Sequence, residues 1–558
     1  MTTETNTDKK DDNPIYNNAN GKIHDEEKNI EPTFLDDDLE LISAAVNTND
    51  DPTLPCLTFR FWLLSTCIII VRRFTGPFNY KEHACILVAV GSGGLSAYAV
   101  DIISVQELFY NTRVNFLTGF LLLISTQMIG YGLTGFVRKC AGVLNFSFDW
   151  NAIGSSALVT PCDAKKFPFI SPLSFDKDGN IVIDPITGAL NVTAYENYSP
   201  VYITATLANF YGMSFMIIPA TICHVILFYG KELWNQYKKT REEENSDIHC
   251  KMMDVYPEVP HYWYTSIFVV MLIIALILCY TTGANLPWWG LLLAVAISAF
   301  MILPVGVIQA ISNQGIGLNV IAELLCGFIL PGRPIANVYF KTYSTITLFQ
   351  CLSFVEDLKL GHYLKIPPRS MFISQIWGTF VGIIVNYWTL NVLINTKRPY
   401  LDGTEADPSG QWAGLGSEAF NTASIIWGLI GPARTFGPDS MYNILLWGFL
   451  IGGFLPIPFY FLHKRFPKSK FNLINMPIIL QGLCGLVTGY PNFIVSGFIA
   501  GFISQFYTRR YRKGWWMKYN YVMAAAFDSG AQIMTMVQFP TWWGNDPSTQ
   551  NEHCFPID

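Results

Sequence analysis

Charge is scarce in this chain: of 558 residues only 14% are Asp, Glu, Lys or Arg, against about 25% in an average soluble domain. So little charge cannot cover a water-facing surface for a chain this long, which excludes a soluble fold. The catalytic and nucleotide signatures are missing as well. No GxxxxGK[ST] run is present, which excludes a P-loop that would draw on ATP. Neither HExxH, nor paired aspartates with GxGD, nor a lipid-transfer His pair occurs, so no membrane-embedded enzyme is expected. No CxxC pair occurs among the twelve cysteines. Many of these (Cys67, Cys223, Cys279, Cys326) lie inside apolar runs, where cysteine acts as a small packing residue. Cys162 and Cys554 lie in polar segments. No basic stretch followed by a short apolar core opens the sequence, so the first membrane helix is expected to serve as the targeting signal.

Apolar residues are what the chain has in abundance. They make up 51% of it and come in long runs such as 266–279, 290–304 and 371–394. A run of roughly 18 or more nearly uncharged residues is long enough to cross a bilayer as a helix. Candidate segments fall at 57–72, 84–106, 114–136, 205–229, 262–281, 288–310, 315–331, 338–355, 371–394, 417–431, 439–462, 472–488, 490–508 and 516–537, a few of them too short to span. The pattern predicts an all-α, polytopic transmembrane helical bundle with broken or re-entrant helices, embedded in the lipid bilayer.

The polar remainder divides the chain. Residues 1–51 are rich in Asp, Glu and Asn, carry most of the acid excess behind a net charge of −6, and lack apolar periodicity. They are expected to form a disordered, acidic cytoplasmic tail. The membrane transport domain is expected over 52–545, with a short tail at 546–558. Basic clusters at Lys231–Arg241, His463–Lys470 and Arg509–Lys513 favour the cytoplasmic side, which assigns 230–260 to a cytoplasmic loop. The stretch 137–204 is polar and holds three N-x-S/T acceptors, at Asn145, Asn191 and Asn197. It is expected to be an external, glycosylated loop. Trp288–Trp289, Trp515–Trp516 and Trp542–Trp543 stand at run ends, as interfacial anchors do.

Ionisable and amide side chains inside apolar segments are costly and therefore mark function. They are densest after Gln309. Asn319 and Glu323 are four residues apart, so a helix places them on one face. The apolar stretch around them, 316–330, is short and bounded by Gly315 and by Pro331-Gly332, which describes a broken segment lining a cavity. A carboxylate held there suits a proton, a cation or an amino group. A weak echo, Leu483-Cys484-Gly485 against Leu325-Cys326-Gly327, hints at a second interrupted segment. The mixed charges from Glu356 to Arg369, broken by Pro367-Pro368, read as a solvated loop at the membrane surface, in which His362 titrates near neutral pH. Asp528 is a lone carboxylate in an Ala-rich segment, a proton or ion site by the same logic. Asp101 and Glu107, at the end of 84–106, read as interfacial.

The residues Asn319-x-x-x-Glu323, Pro331-Gly332-Arg333-Pro334, Lys341, Gln350 and Asp357 through Lys365-Ile-Pro367-Pro368-Arg369 closely resemble the oligopeptide transporter family, in the branch that carries peptides. Asp50-Asp51-Pro52, Gly76-Pro77-Phe78-Asn79, Phe148-Asp149-Trp150, Trp427 to Pro432, and Trp515-Trp516 with Asp528 extend the resemblance over most of 46–545. It implies a plasma-membrane, proton-coupled symporter of short peptides or glutathione-like peptides, with no cofactor and no nucleic-acid partner. In that setting Glu323 and Asp528 are expected to meet a peptide's amino end, Lys341 and Arg333 its carboxylate, and Asn319 and Gln350 its amides. Asp528, Glu323 and His362 are the proton-coupling candidates, and Lys365, Pro367, Pro368 and Arg369 form the motif expected to gate. The chain looks short for the family: spans appear lost between Val71 and Gly76, between Arg138 and Gly142, and after Asp149-Trp150. A metal-chelate transporter of the same family and a transport-deficient sensor or remnant are the alternatives.

If 137–204 is external, endoglycosidase will increase the protein's electrophoretic mobility, and changing Asn145, Asn191 and Asn197 together to Gln will abolish that shift. No shift in the wild type from a glycosylating host contradicts the assignment.

Overall fold

A chain segment in hydrocarbon has no water to bond its peptide groups, so the apolar runs can cross only as helices that satisfy themselves. The computed structural model agrees. It describes residues 97–110, 112–137, 174–175, 201–239, 252–312, 314–402, 404–405, 415–438, 440–488, 497–516, 519–520, 523–524 and 526–527, with 56–57, 62, 81, 85 and 88–89. The 1–51 tail, the three glycosylation acceptors and Asp528 lie outside the described residues.

The helices in chain order are α1 (Ala97–Leu108), α2 (Phe116–Val137), α3 (Ala205–His224) running through a π-helical turn Val225–Tyr229 into α4 (Gly230–Lys239), α5 (His261–Thr281) and α6 (Trp288–Ser312). Then come α7 (Asn319–Ile329), α8 (Pro334–Tyr363), α9 (Pro368–Leu401), α10 (Leu415–Ala423) with a π-helical turn Ser424–Ile430, the single turn α11 (Pro432–Thr435), α12 (Gly448–Phe454), α13 (Pro456–Arg465), α14 (Met476–Thr488) and the single turn α15 (Arg509–Tyr511). Among the described residues the only strands are a two-residue pair, Ser174–Phe175 against Tyr202–Ile203. Six described helices are long and apolar enough to cross a membrane: 116–135, 207–235, 261–281, 288–312, 368–401 and 443–465.

The apolar faces turned outward are continuous. Val269, Val270, Ile273 and Ile277 on α5 are exposed together, as are Phe380, Ile384, Trp388 and Val392 on α9. Spacings of three and four put each set on one helix face. In water such patches would drive association; against acyl chains they cost nothing. The protein is a multi-pass membrane protein.

Inside the bundle the organising element is α8. It packs against α1, α2, α6, α7, α9 and the π-helical turn 424–430. Its inward and outward faces alike are buried, and they are polar: Asn337, Lys341, Thr342, Ser344, Thr345, Thr347 and Gln350 are all shielded. That mix lowers its mean hydropathy, which is why sequence reading assigned it only 338–355. The structure extends it to thirty residues. Glu356 to Tyr363, expected as a solvated loop, are its last two turns. Their spacing is compatible with helix, and no proline stands between Glu356 and Pro367. Proline also starts helices, because the first turn has no use for its missing N–H: Pro368 is the first residue of α9.

Close approach in a membrane depends on small residues. A side chain at Gly132 or Gly135 of α2 would strike Phe268 or Tyr264 of α5, and one at Gly130 would strike Gln350 of α8. Gly327 of α7 lies against the Trp427 carbonyl and Pro432, and Gly428 against Pro334 and Asn337. The interrupted partner of α7 is therefore the segment 415–435, with Gly431 at φ +84°. It is not the echo at 483–485, which belongs to α14 and packs on α3.

Overpacking at such contacts costs about 1–3 kcal/mol. Gly428→Val is expected to lower the thermal midpoint of detergent-purified protein, while Gly482→Ala, which meets nothing within 4 Å, leaves it unchanged. Equal midpoints for both contradict the tight crossing.

Candidate functional site

The site is built by a short hairpin of helices. α7 has eleven residues, about 16 Å at 1.5 Å per residue, roughly half of the hydrocarbon thickness. It stops at a turn in which Gly332 takes φ +75°, a conformation that favours glycine. Pro334 then opens α8 at its first position. Glu323 lies nine residues before Gly332 and Lys341 nine after it, so folding back at this turn brings the two face to face. Lys341 Nζ donates to Glu323 Oε1 at 2.6 Å, with both side chains buried. Asn337 Nδ2 donates to the Glu323 carbonyl oxygen at 2.9 Å and ties the helices together one turn earlier.

Other elements close around the pair. The Lys341 ammonium sits 4.0 Å from the centre of the Phe420 ring on α10. Tyr211 of α3 lies within Coulombic reach of Glu323. Its ring meets Trp427 edge-on at 5.0 Å, and Trp427 stacks on Phe436 at 5.0 Å. Asp101 of α1, expected at an interface, is half-buried and within Coulombic reach of Lys341. Nearby, Gln106, Ile335, Val338 and Ser424 line a cavity of about 10 Å³, room for one water and far too small for a peptide. A conformation that admits a larger solute must part these elements.

The remaining candidates are spread over α7, α8 and the α8–α9 junction. Asn319 opens α7 one turn from Glu323 and is half-buried. Gln350 is buried but faces Gly130 of α2. Arg333 is exposed and donates from Nη1 to the Asn285 carbonyl oxygen at 3.1 Å, so it is not drawn to the pair. His362 lies 21 residues beyond Lys341, about 30 Å along the helix, with its ring beside Tyr363. At that same end Lys365 is buried with φ +54°. Pro367 precedes α9, Pro368 begins it, and Arg369 Nε donates to the Glu258 carbonyl oxygen at 3.2 Å. Lys81 Nζ donates to the Tyr256 hydroxyl at 2.7 Å. Two cations from distant parts of the chain thus hold the segment 252–260 that leads into α5.

Sequence reading missed the aromatic wall (Tyr211, Phe420, Trp427) and gave Asp101 no part in the site. Trp427 was in a recognised block, but nothing local marks a ring as facing a charge. It also treated Glu323 and Lys341 as separate ligands; their equal distance from Gly332 was the available signal that they pair. Among the described residues no three His, Cys, Asp or Glu side chains gather to hold a metal.

Comparison with known proteins agrees with this architecture. The model for the OPT oligopeptide transporter protein family matches residues 54–141 and 140–540. Oligopeptide transporter 5 of Arabidopsis thaliana is 30% identical, covering 95% of each chain, and oligopeptide transporter 1 of that plant is 31% identical, covering 93% of each. The sexual differentiation process protein isp4 of Schizosaccharomyces pombe is 29% identical over 90% of this chain and 87% of its own. The alignment with the first extends over 720 residues, although this chain has 558. Internal stretches of that relative therefore have no counterpart here, and the family match itself breaks at 140–141.

Removing one member of a buried ion pair costs roughly 3–5 kcal/mol, whereas replacing both by apolar residues of similar volume is near neutral. Lys341→Met is expected to lower the thermal midpoint sharply at neutral pH, and Lys341→Met with Glu323→Met to recover most of the loss. A double variant as unstable as the single contradicts the pairing.

Proposed function

The chain belongs to the oligopeptide transporter family, and from that premise we propose that it is a proton-coupled secondary transporter that imports short peptides, including glutathione-like ones, across the plasma membrane. The observation that carries the reading is the buried Lys341–Glu323 pair. Two opposite charges in an apolar bundle lose several kcal/mol each in hydration, and a pair of hydrophobic residues would fold as well. What the pair offers that hydrophobes do not is complementarity to a zwitterion. A peptide's ammonium fits Glu323, its carboxylate fits Lys341, and its amides suit Asn319. The aromatic wall of Tyr211, Phe420 and Trp427 suits side chains of varied shape. The relatives named as oligopeptide transporters support the substrate class.

Access alternates in this mechanism. The short helix α7 and the interrupted segment 415–435 are the broken elements expected beside a transporter's binding site, and their separation opens the site. Protonation of Glu323 weakens its hold on Lys341 and frees the Lys341 ammonium for the peptide's carboxylate; release of the proton then leaves the Glu323 carboxylate for the peptide's ammonium. Asp528 remains a second coupling candidate. His362 and the Lys365–Arg369 block, at the far end of α8, suit gating: they hold the 252–260 segment and with it the foot of α5. A second reading, a transport-deficient sensor or remnant, is favoured by one observation, the internal stretches of the relatives that this chain lacks.

The test is uptake of a labelled tetrapeptide, with glutathione as competitor, in cells lacking their own peptide transporters. Uptake is expected to be greater in acidic than in alkaline medium and to be lost in Glu323→Gln; Asp528→Asn tests the second candidate. Uptake insensitive to pH removes proton coupling. No uptake of peptide by protein at the cell surface overturns transport in favour of the sensor or remnant.

A further inference from the structure

The chain between α6 and α7 is neither helix nor strand over residues 314–318. It runs beside the middle of α8: a side chain added at Gly315 would stand 3.2 Å from the Phe349 ring, and one at Gly317 3.8 Å from it. Among the described residues, Gly315, Ile316 and Gly317 make no hydrogen bond. The bonds on either side are from the Gln314 N–H to Ser312 Oγ and from the Ala322 N–H to the Leu318 carbonyl oxygen. Ile316 and Leu318 are buried, whereas Gly317 is exposed. Lipid offers a peptide group no partner, so unpaired backbone at membrane depth is tolerated only against protein or a water-filled space. The exposed edge of this strip therefore borders water. Two amide side chains bracket it. Gln309 Oε1, a buried oxygen with no hydrogen-bond partner among the described residues, lies 3.9 Å from where a Gly315 side chain would begin, and Asn319 Oδ1 lies 3.8 Å from the same point at Gly317. From Gln309 to Asn319 the sequence carries no charge.

We propose that residues 314–318 are a backbone strip that binds the main chain of the transported peptide, hydrogen-bonding its amides whatever its side chains are. The strip offers both N–H and C=O groups, as a peptide main chain does. An alkali cation would take only the carbonyls and leave the N–H groups unserved. Uncharged surroundings likewise suit neutral amides. The strip also continues the site already described: Asn319, the residue that suits a peptide's amides, is its end, and Glu323 follows one helical turn later. Main-chain pairing supplies affinity without selecting side chains, which is what a carrier of varied short peptides needs. The inference rests on the transporter reading and adds to it the surface that reads the peptide backbone.

Gly317→Cys tests it, since a side chain there meets nothing closer than 3.8 Å. The purified variant is treated with a small uncharged maleimide, and modification of that cysteine is followed by mass spectrometry while a tetrapeptide is titrated in. The same peptide with its central amide replaced by an ester, which lacks the N–H, is titrated in parallel. Protection by the peptide is expected, with the ester needing about ten times the concentration for the same protection, the worth of one lost hydrogen bond at a buried acceptor. Gly482→Cys on α14 is expected to gain no protection. No protection at concentrations that saturate wild-type uptake overturns the strip and leaves transport standing. Equal protection by peptide and ester, or equal protection of both cysteines, also overturns it. Protection without uptake by the wild type supports the strip while transport falls, and absence of both overturns both. Should Gly317→Cys not fold, wild-type uptake decides: about tenfold weaker competition by the ester than by its parent supports the strip, and equal competition overturns it.

Discussion

A salt bridge buried among helices in a hydrocarbon solvent is the constraint on which the rest of this structure depends. Lys341 and Glu323 can stay charged only if protein surrounds them on every side. That requirement accounts for the polar, buried first two-thirds of α8 and for the short α7 that folds back on it. It accounts also for the close glycine contacts at Gly327 and Gly428, which seat the interrupted segment 415–435 against the hairpin. The long apolar helices α2, α5, α6 and α9 form the enclosure. Their outward faces carry the large hydrophobic residues, and their inward faces approach closely enough through Gly130, Gly132 and Gly135 to exclude lipid from the centre.

How much of this was legible in the sequence follows from what hydropathy measures. α2, α5 and α6 begin and end within about two residues of their expected bounds, because each is apolar throughout and flanked by turn or interfacial residues. The broken character of α7 was legible from Gly315 and Pro331-Gly332. α8 was not fully legible, since burial by protein and burial by lipid make opposite demands on composition. A helix wrapped by other helices can carry Asn, Lys, Thr and Gln, and a sliding average then trims it. The charged stretch 356–363 misled for the same reason. Of the site, the ionisable residues were visible as exceptions to an apolar background, but their pairing was a matter of tertiary geometry.

The two ends of α8 have different work. Near its start lie the pair, the aromatic wall and the one-water cavity. Near its finish, Lys365 and Arg369 stand at the α8–α9 junction, and Arg369 with Lys81 fastens the 252–260 segment. A rigid thirty-residue helix connecting a charge-sensitive site with a fastened loop is a natural lever, and it passes the Gln375–Tyr131–Thr379 hydrogen-bonded cluster on the way.

The central claim is that the Glu323 carboxylate is the group a peptide engages. A hydrophobic carbodiimide, which modifies protonated carboxyl groups within membranes, tests it directly when the labelled residue is located by mass spectrometry. Labelling of Glu323 in mildly acidic medium that falls as a short peptide is added, with an N-acetylated peptide giving little protection, is the result the account predicts. Glu323 labelled equally with and without peptide would contradict it.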